Sequence, residues 1–172
     1  MEPLTQAKKP VTVLAGPYGH PLHPALAAVP IGAWIASFVF DVASRVVGQP
    51  GFLTSGSRWL IAIGVLGALA AATVGFLDLI AIPPRTPAFR TALVHMSVNL
   101  AVTAAYAINF LTRGGQPAAA PVGWVALAVS AVSLAALSVS GYLGGKLAYR
   151  YGVRVADEST QAEGYRITKE NL

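Results

Sequence analysis

Three histidines and one aspartate carry most of the chemistry that this 172-residue chain offers. His20 and His23 stand in the segment Gly19-His20-Pro21-Leu22-His23-Pro24, His95 lies in the otherwise chargeless run 91–111, and Asp78 closes the chargeless run 59–77. An imidazole inside an apolar helix ligates haem iron or a metal, relays a proton, or hydrogen-bonds a neighbour. Proline after His20 and after His23 disfavours helical backbone at both, and Pro24 suits the first position of a helix. In extended backbone three residues advance about 9 Å. His20 and His23 therefore share a metal only if the chain turns between them. One b-type haem needs two axial imidazoles, which His95 and either His23 or His20 would supply. The alternative ligand set is a transition-metal ion held by His20, His23, His95 and Asp78. Three histidines do not furnish the two pairs of a dihaem cytochrome. With no cysteine, attached c-type haem, thiolate metal sites and Cys nucleophiles are excluded.

These residues must be positioned by elements of an unusual kind. Hydrophobic residues make up 55% of the chain and charged residues 11%, against about 25% charged in an ordinary soluble domain. Lipid tolerates such a surface and water does not. Four stretches are apolar over the roughly 20 residues that a spanning helix needs, and we expect spans at about 24–47, 58–82, 88–112 and 121–146. Gly48-Gln49-Pro50-Gly51, Pro83-Pro84-Arg85-Thr86-Pro87 and Gly114-Gly115-Gln116-Pro117 mark the turns. Short turns force neighbouring helices antiparallel. The fold class is all-α, an integral membrane up-down four-helix bundle over 19–155, with a polar N-tail at 1–18 and a polar C-tail at 156–172. Residues 1–22 lack the apolar core of a secretory signal, so the first span itself directs insertion.

Lys and Arg set the expected direction. Lys8, Lys9, Arg85, Arg90, Lys146, Arg150, Arg154, Arg166 and Lys169 fall on one side, and Arg45, Arg58 and Arg113 on the other. The positive-inside rule then places both termini in the cytoplasm of a bacterial cell, with the spans in its inner membrane. The net charge of +5 is dispersed outside the apolar runs, which fits head groups rather than nucleic acid. On this reading all three histidines and Asp78 collect in the cytoplasmic half, where Asp78 pairs with Arg85, Arg90 or Lys146 or else orients His95. The opposite half reads as structural. Asp41 and Arg45, four apart, form an ion pair there, and Asn109 and Arg113 share the same spacing. Gly67, Ala71 and Gly75, and likewise Gly141 and Gly145, repeat at spacing four, which brings helix backbones together or makes room for a flat cofactor. Ser130 and Ser133 read as satisfied helix hydroxyls.

The motifs Gly19-His20-Pro21-Leu22-His23-Pro24, Val29-Pro30-Ile31-Gly32, Gly75-Phe76-Leu77-Asp78, Arg90, His95 and Asn99, and Gly141-Tyr142-Leu143-Gly144-Gly145-Lys146-Leu147-Ala148-Tyr149 with Gly152-Val153 form one pattern. It resembles a bacterial family of four-span membrane proteins of unknown function, over residues 19–155. Some relatives in that family are joined to Rieske iron–sulfur domains, and the resemblance implies membrane electron transfer. This chain has no cysteine with which to ligate such a cluster. The function expected is therefore a multi-pass membrane protein that binds one b-type haem for electron transfer. The alternatives are a transition-metal-binding protein, or a non-catalytic subunit or scaffold. Its partners would be the lipid bilayer, a redox or membrane-protein partner, and further copies of itself. No serine-nucleophile motif, phosphate loop or dinucleotide fingerprint is present.

Overall fold

The computed structural model describes residues 2–165 apart from Gln116 and Ala118. The tail residues Arg166, Lys169 and Glu170 and the turn residue Gln116 lie outside the described residues. Six α-helices follow in order: α1 Pro3–Lys8, α2 Leu22–Ala43, α3 Gly51–Ala81, α4 Pro87–Thr112, α5 Trp124–Gly145 and α6 Glu158–Ala162. Helices α2 to α5 are the four elements long and apolar enough to cross a membrane. The shortest of them has 22 residues, which at about 1.5 Å each covers a hydrocarbon core of roughly 30 Å.

Local chemistry sets the helix ends. Thr86 caps α4: its hydroxyl accepts from the Phe89 backbone N–H at 3.1 Å and donates to the Pro83 carbonyl at 2.8 Å. Pro87 follows in the first turn, where its missing N–H costs nothing. Pro50 precedes α3, and α5 runs on into a π-helical turn at Lys146–Arg150. The four long helices close a ring in which α2 packs on α3, α3 on α4, α4 on α5 and α5 back on α2. The segments before α2 and after α5 meet at one end of this ring, called here the terminal end; the other is the far end.

The bundle buries many polar groups and exposes many large apolar ones. Ser37, Asp41, Ser57, Asn109, Arg113, Ser130, Ser133 and Ser140 are buried, while Val39, Leu66, Ile108, Val125 and Val132 are exposed. Water selects against that arrangement and a bilayer selects for it, since polar groups must find partners within the protein. The middle of the bundle is sealed by Trp34 of α2, stacked on Tyr106 of α4 with ring centroids 4.2 Å apart, and by Ile61 and Val102.

Close approach at the seal requires Gly64, because a Cβ there would overlap the Trp34 indole. Overpacking of this kind costs about 1–3 kcal/mol. Gly64→Ala is expected to lower the thermal midpoint of the detergent-solubilised protein despite the better helix propensity of alanine. A midpoint at or above wild type would show that the indole moves freely.

The segments that flank the bundle join across the terminal end. The Arg154 backbone N–H donates to the Ala7 carbonyl at 3.0 Å. Lys8 Nζ donates to the Ala156 carbonyl at 3.3 Å, and the Asp157 N–H to the Tyr18 hydroxyl at 2.7 Å. Gly16, Gly19 and Gly152 take positive φ in these bends, where other residues are strained. Asp157 caps α6, and the Thr160 backbone N–H together with the Ser159 hydroxyl holds its carboxyl well below the usual range.

Candidate functional site: paired imidazoles at the terminal end

His23 lies in the first turn of α2, which begins at Leu22 after the N-cap Pro21. His23 is thus helical, and Pro24 takes the third position rather than the expected first, where its missing N–H is still one the helix leaves unbonded. Its Nδ1 stands 2.8 Å from the Ala71 carbonyl on α3. A carbonyl only accepts, so Nδ1 carries a proton, and in the neutral ring Nε2 is then the acceptor. Gly75 gives the ring its place: a Cβ there would stand 2.8 Å from Nδ1.

His95 repeats the arrangement on the other helix pair. Its Nδ1 is 2.9 Å from the Ser140 carbonyl on α5 and 2.9 Å from the Ser140 hydroxyl. Here too the ring donates from Nδ1 and accepts at Nε2. The Asn99 amide, one turn on, stands 3.1 Å from Nε2 and donates to the His95 carbonyl at 2.9 Å. Gly144 clears the space, since a Cβ there would lie 3.2 Å from Cε1. One histidine thus ties α2 to α3 and the other ties α4 to α5. The two rings face each other edge to face, with centroids 6.2 Å apart. The glycines Gly75 and Gly144 seat these imidazoles, and Gly67 seats Val29 and Pro30.

Asp78, near the end of α3, is buried and forms an ion pair with Arg154, Nε to Oδ1 at 2.8 Å. The N–H is not aligned on that oxygen, so the contact is ionic rather than a directed hydrogen bond. Arg154 Nη2 donates to the Ala15 and Gly16 carbonyls at 2.9 and 3.0 Å, which fastens the N-terminal segment over the bundle. The expected partners Arg85, Arg90 and Lys146 are not the ones Asp78 takes. Arg154 reaches it because the chain reverses at Gly152 and Arg154, both at positive φ, and turns back over α3.

The structure therefore brings His23 and His95 together. His20 is exposed, with its backbone N–H turned into a bend on the Pro17 carbonyl. Among the described residues no three of His, Asp and Glu gather as a metal-ligand set. His20, His23, His95 and Asp78 do not form a single cluster.

The far end holds a second polar cluster whose pairing differs from the sequence expectation. Arg113 grips Asp41 with both terminal nitrogens, at 2.8 and 2.7 Å. Ser57 donates to Asp41, hydrogen-bonds Ser37 at 2.9 Å and accepts from Arg113 at 2.9 Å. Asn109 accepts from Arg113 Nε at 2.9 Å and donates to Ser130 at 3.1 Å. Arg45 is not the partner of Asp41. It donates to the Val122 carbonyl at 2.6 Å and lies over the Trp124 ring at 3.8 Å. Asp41 points into the bundle, while Arg45, beyond the end of α2, reaches the loop before α5. Sequence reasoning gave Ser37 and Ser57 no part. The available signal was Ser37 and Asp41 four apart on α2, at the depth of Asn109 and Arg113, four apart where α4 ends.

Residues 19–157 match the family model described as Predicted membrane protein (DUF2231). No curated protein and no solved structure matches the chain.

Proposed function

This chain belongs to the DUF2231 family of predicted membrane proteins, and from that premise we propose that it binds one b-type haem through His23 and His95 for electron transfer in a bacterial inner membrane. The observation that carries this reading is the shared state of the two rings. Each donates Nδ1–H to a helix carbonyl, which leaves Nε2 as the nitrogen able to ligate, that of His95 once the Asn99 amide moves off it, and ligating histidines are held in this way. Two imidazoles from different helix pairs, with ring centroids 6.2 Å apart, would hold a haem iron through His23 and His95. They fall short of the three or four protein ligands of a zinc site, which ranks haem above a bare transition metal. When bound, the haem supplies a one-electron couple. The protein would supply the two ligands and, through their Nδ1 bonds to helix carbonyls, the orientation of the rings. The terminal end would face the cytoplasm, because Arg85, Arg90, Lys146, Arg150 and Arg154 lie on it.

One bond favours a second reading. Asn99 already occupies Nε2 of His95, and ligation requires that bond to open. If it stays closed, the histidines are helix clamps in a non-catalytic membrane subunit. Haem quantification by pyridine haemochrome and metal analysis, on protein purified from haem-replete cells, separate the readings. One haem per chain supports ligation. Stoichiometric metal without haem supports the metal site, and neither supports the clamp.

A further inference from the structure

Four cations at the terminal end are unused by the paired imidazoles and by Asp78. Arg85 and Arg90 flank the start of α4, and Lys146 and Arg150 occupy the π-helical turn after α5. Their elements meet in one small cluster, where Leu79, Ile82, Ala92 and Leu147 are buried and Phe89 and Tyr151 pack against them. Arg85, Arg90 and Arg150 are exposed. Lys146 lies over the Tyr151 ring, 5.5 Å from its centroid. None of the four is in a salt bridge among the described residues, and Asp78 at the same end is paired with Arg154. Arg85 holds φ at 65° in a turn pinned by the Thr86 cap. The cations are therefore presented on helical and turn backbone. Beside them Tyr142 and Tyr149 are 73% and 92% exposed, and such rings settle at head-group depth.

We propose that this patch is a binding site for the phosphodiester head group of an anionic phospholipid, seated between the α3–α4 turn and the end of α5. These cations take no ion-pair partner among the described residues, and they stand where the apolar outer faces of α4 and α5 give way to polar surface. Guanidinium groups pair with phosphate oxygens, and each basic side chain at a membrane surface adds to attraction for anionic lipid. The site stands independently of any haem.

The test uses the full chain in phosphatidylcholine-containing micelles titrated with phosphatidylglycerol, with retained lipid counted by native mass spectrometry. Wild type is expected to retain phosphatidylglycerol over phosphatidylcholine by about tenfold or more. R85Q/R90Q/K146Q/R150Q should bring that preference to within about twofold, R90Q/R150Q should give an intermediate value, and K9Q, an exposed cation outside the patch, should leave it unchanged. An unchanged melting midpoint in phosphatidylcholine micelles shows that the variants fold. Equal retention of the two lipids by wild type, or a full preference in the quadruple variant, overturns the proposal.

Discussion

Arg113→Met should destabilise the bundle by about 3–5 kcal/mol, because it strands a carboxylate in a dry interior. Asp41 has no exposed surface and Arg113 is 4% exposed. The guanidinium satisfies both carboxylate oxygens and also bonds Asn109 and Ser57. Met has similar length and no charge, so what is lost is the compensation of Asp41. The same argument makes Asp41→Leu costly, since it strands the guanidinium. The double variant Asp41→Leu/Arg113→Met should recover much of the loss, because replacing a whole buried pair by apolar groups is often neutral. Thermal unfolding of the four proteins in detergent, with size-exclusion profiles, measures this cycle. A single variant as stable as wild type would mean that the pair is hydrated.

His23→Ala and His95→Ala should each abolish haem binding, while His20→Ala leaves it intact. On the proposed reading the first two would each remove a ligand of the haem; His20 is exposed and outside the pair. The low-spin signature of bis-histidine iron in electron paramagnetic resonance reads ligation rather than stability. His95→Ala also removes the α4–α5 bonds to Ser140, so loss of haem there is interpreted only alongside a melting curve. Asn99→Ala sharpens the distinction between ligand and clamp. It frees Nε2 of His95 and should preserve or raise haem occupancy if that nitrogen binds iron. A fall in occupancy in a folded Asn99→Ala protein would count against His95 as a ligand.

The four helices were legible because apolar runs bounded by Pro and Gly leave little choice of element. The far-end network was less so. Its residues are ordinary in type, and Asp41 with Arg45 offers a local pairing that spacing alone favours. The true partner, Arg113, follows the last residue of α4, and only the antiparallel packing of the bundle brings it within 2.7 Å of Asp41. The pairing of Asp78 was hidden for a related reason, since Arg154 reaches it after a reversal at two residues of positive φ. The His23–His95 pair could be foreseen from depth, as both sit early in helices that start from the same side. What sequence could not show was the Nδ1 bond of each ring to a helix carbonyl, or the seating of the rings against Gly75 and Gly144 rather than an open slot left by those glycines. Those are contacts between helices, set by rotation about the helix axes.

The most direct test of the paired-imidazole reading is the absorption spectrum of wild-type protein purified from haem-replete cells, before and after dithionite. The account predicts a Soret band that shifts on reduction, with the sharp visible bands of six-coordinate b-type haem. A clean, folded preparation with no Soret band in either state contradicts it.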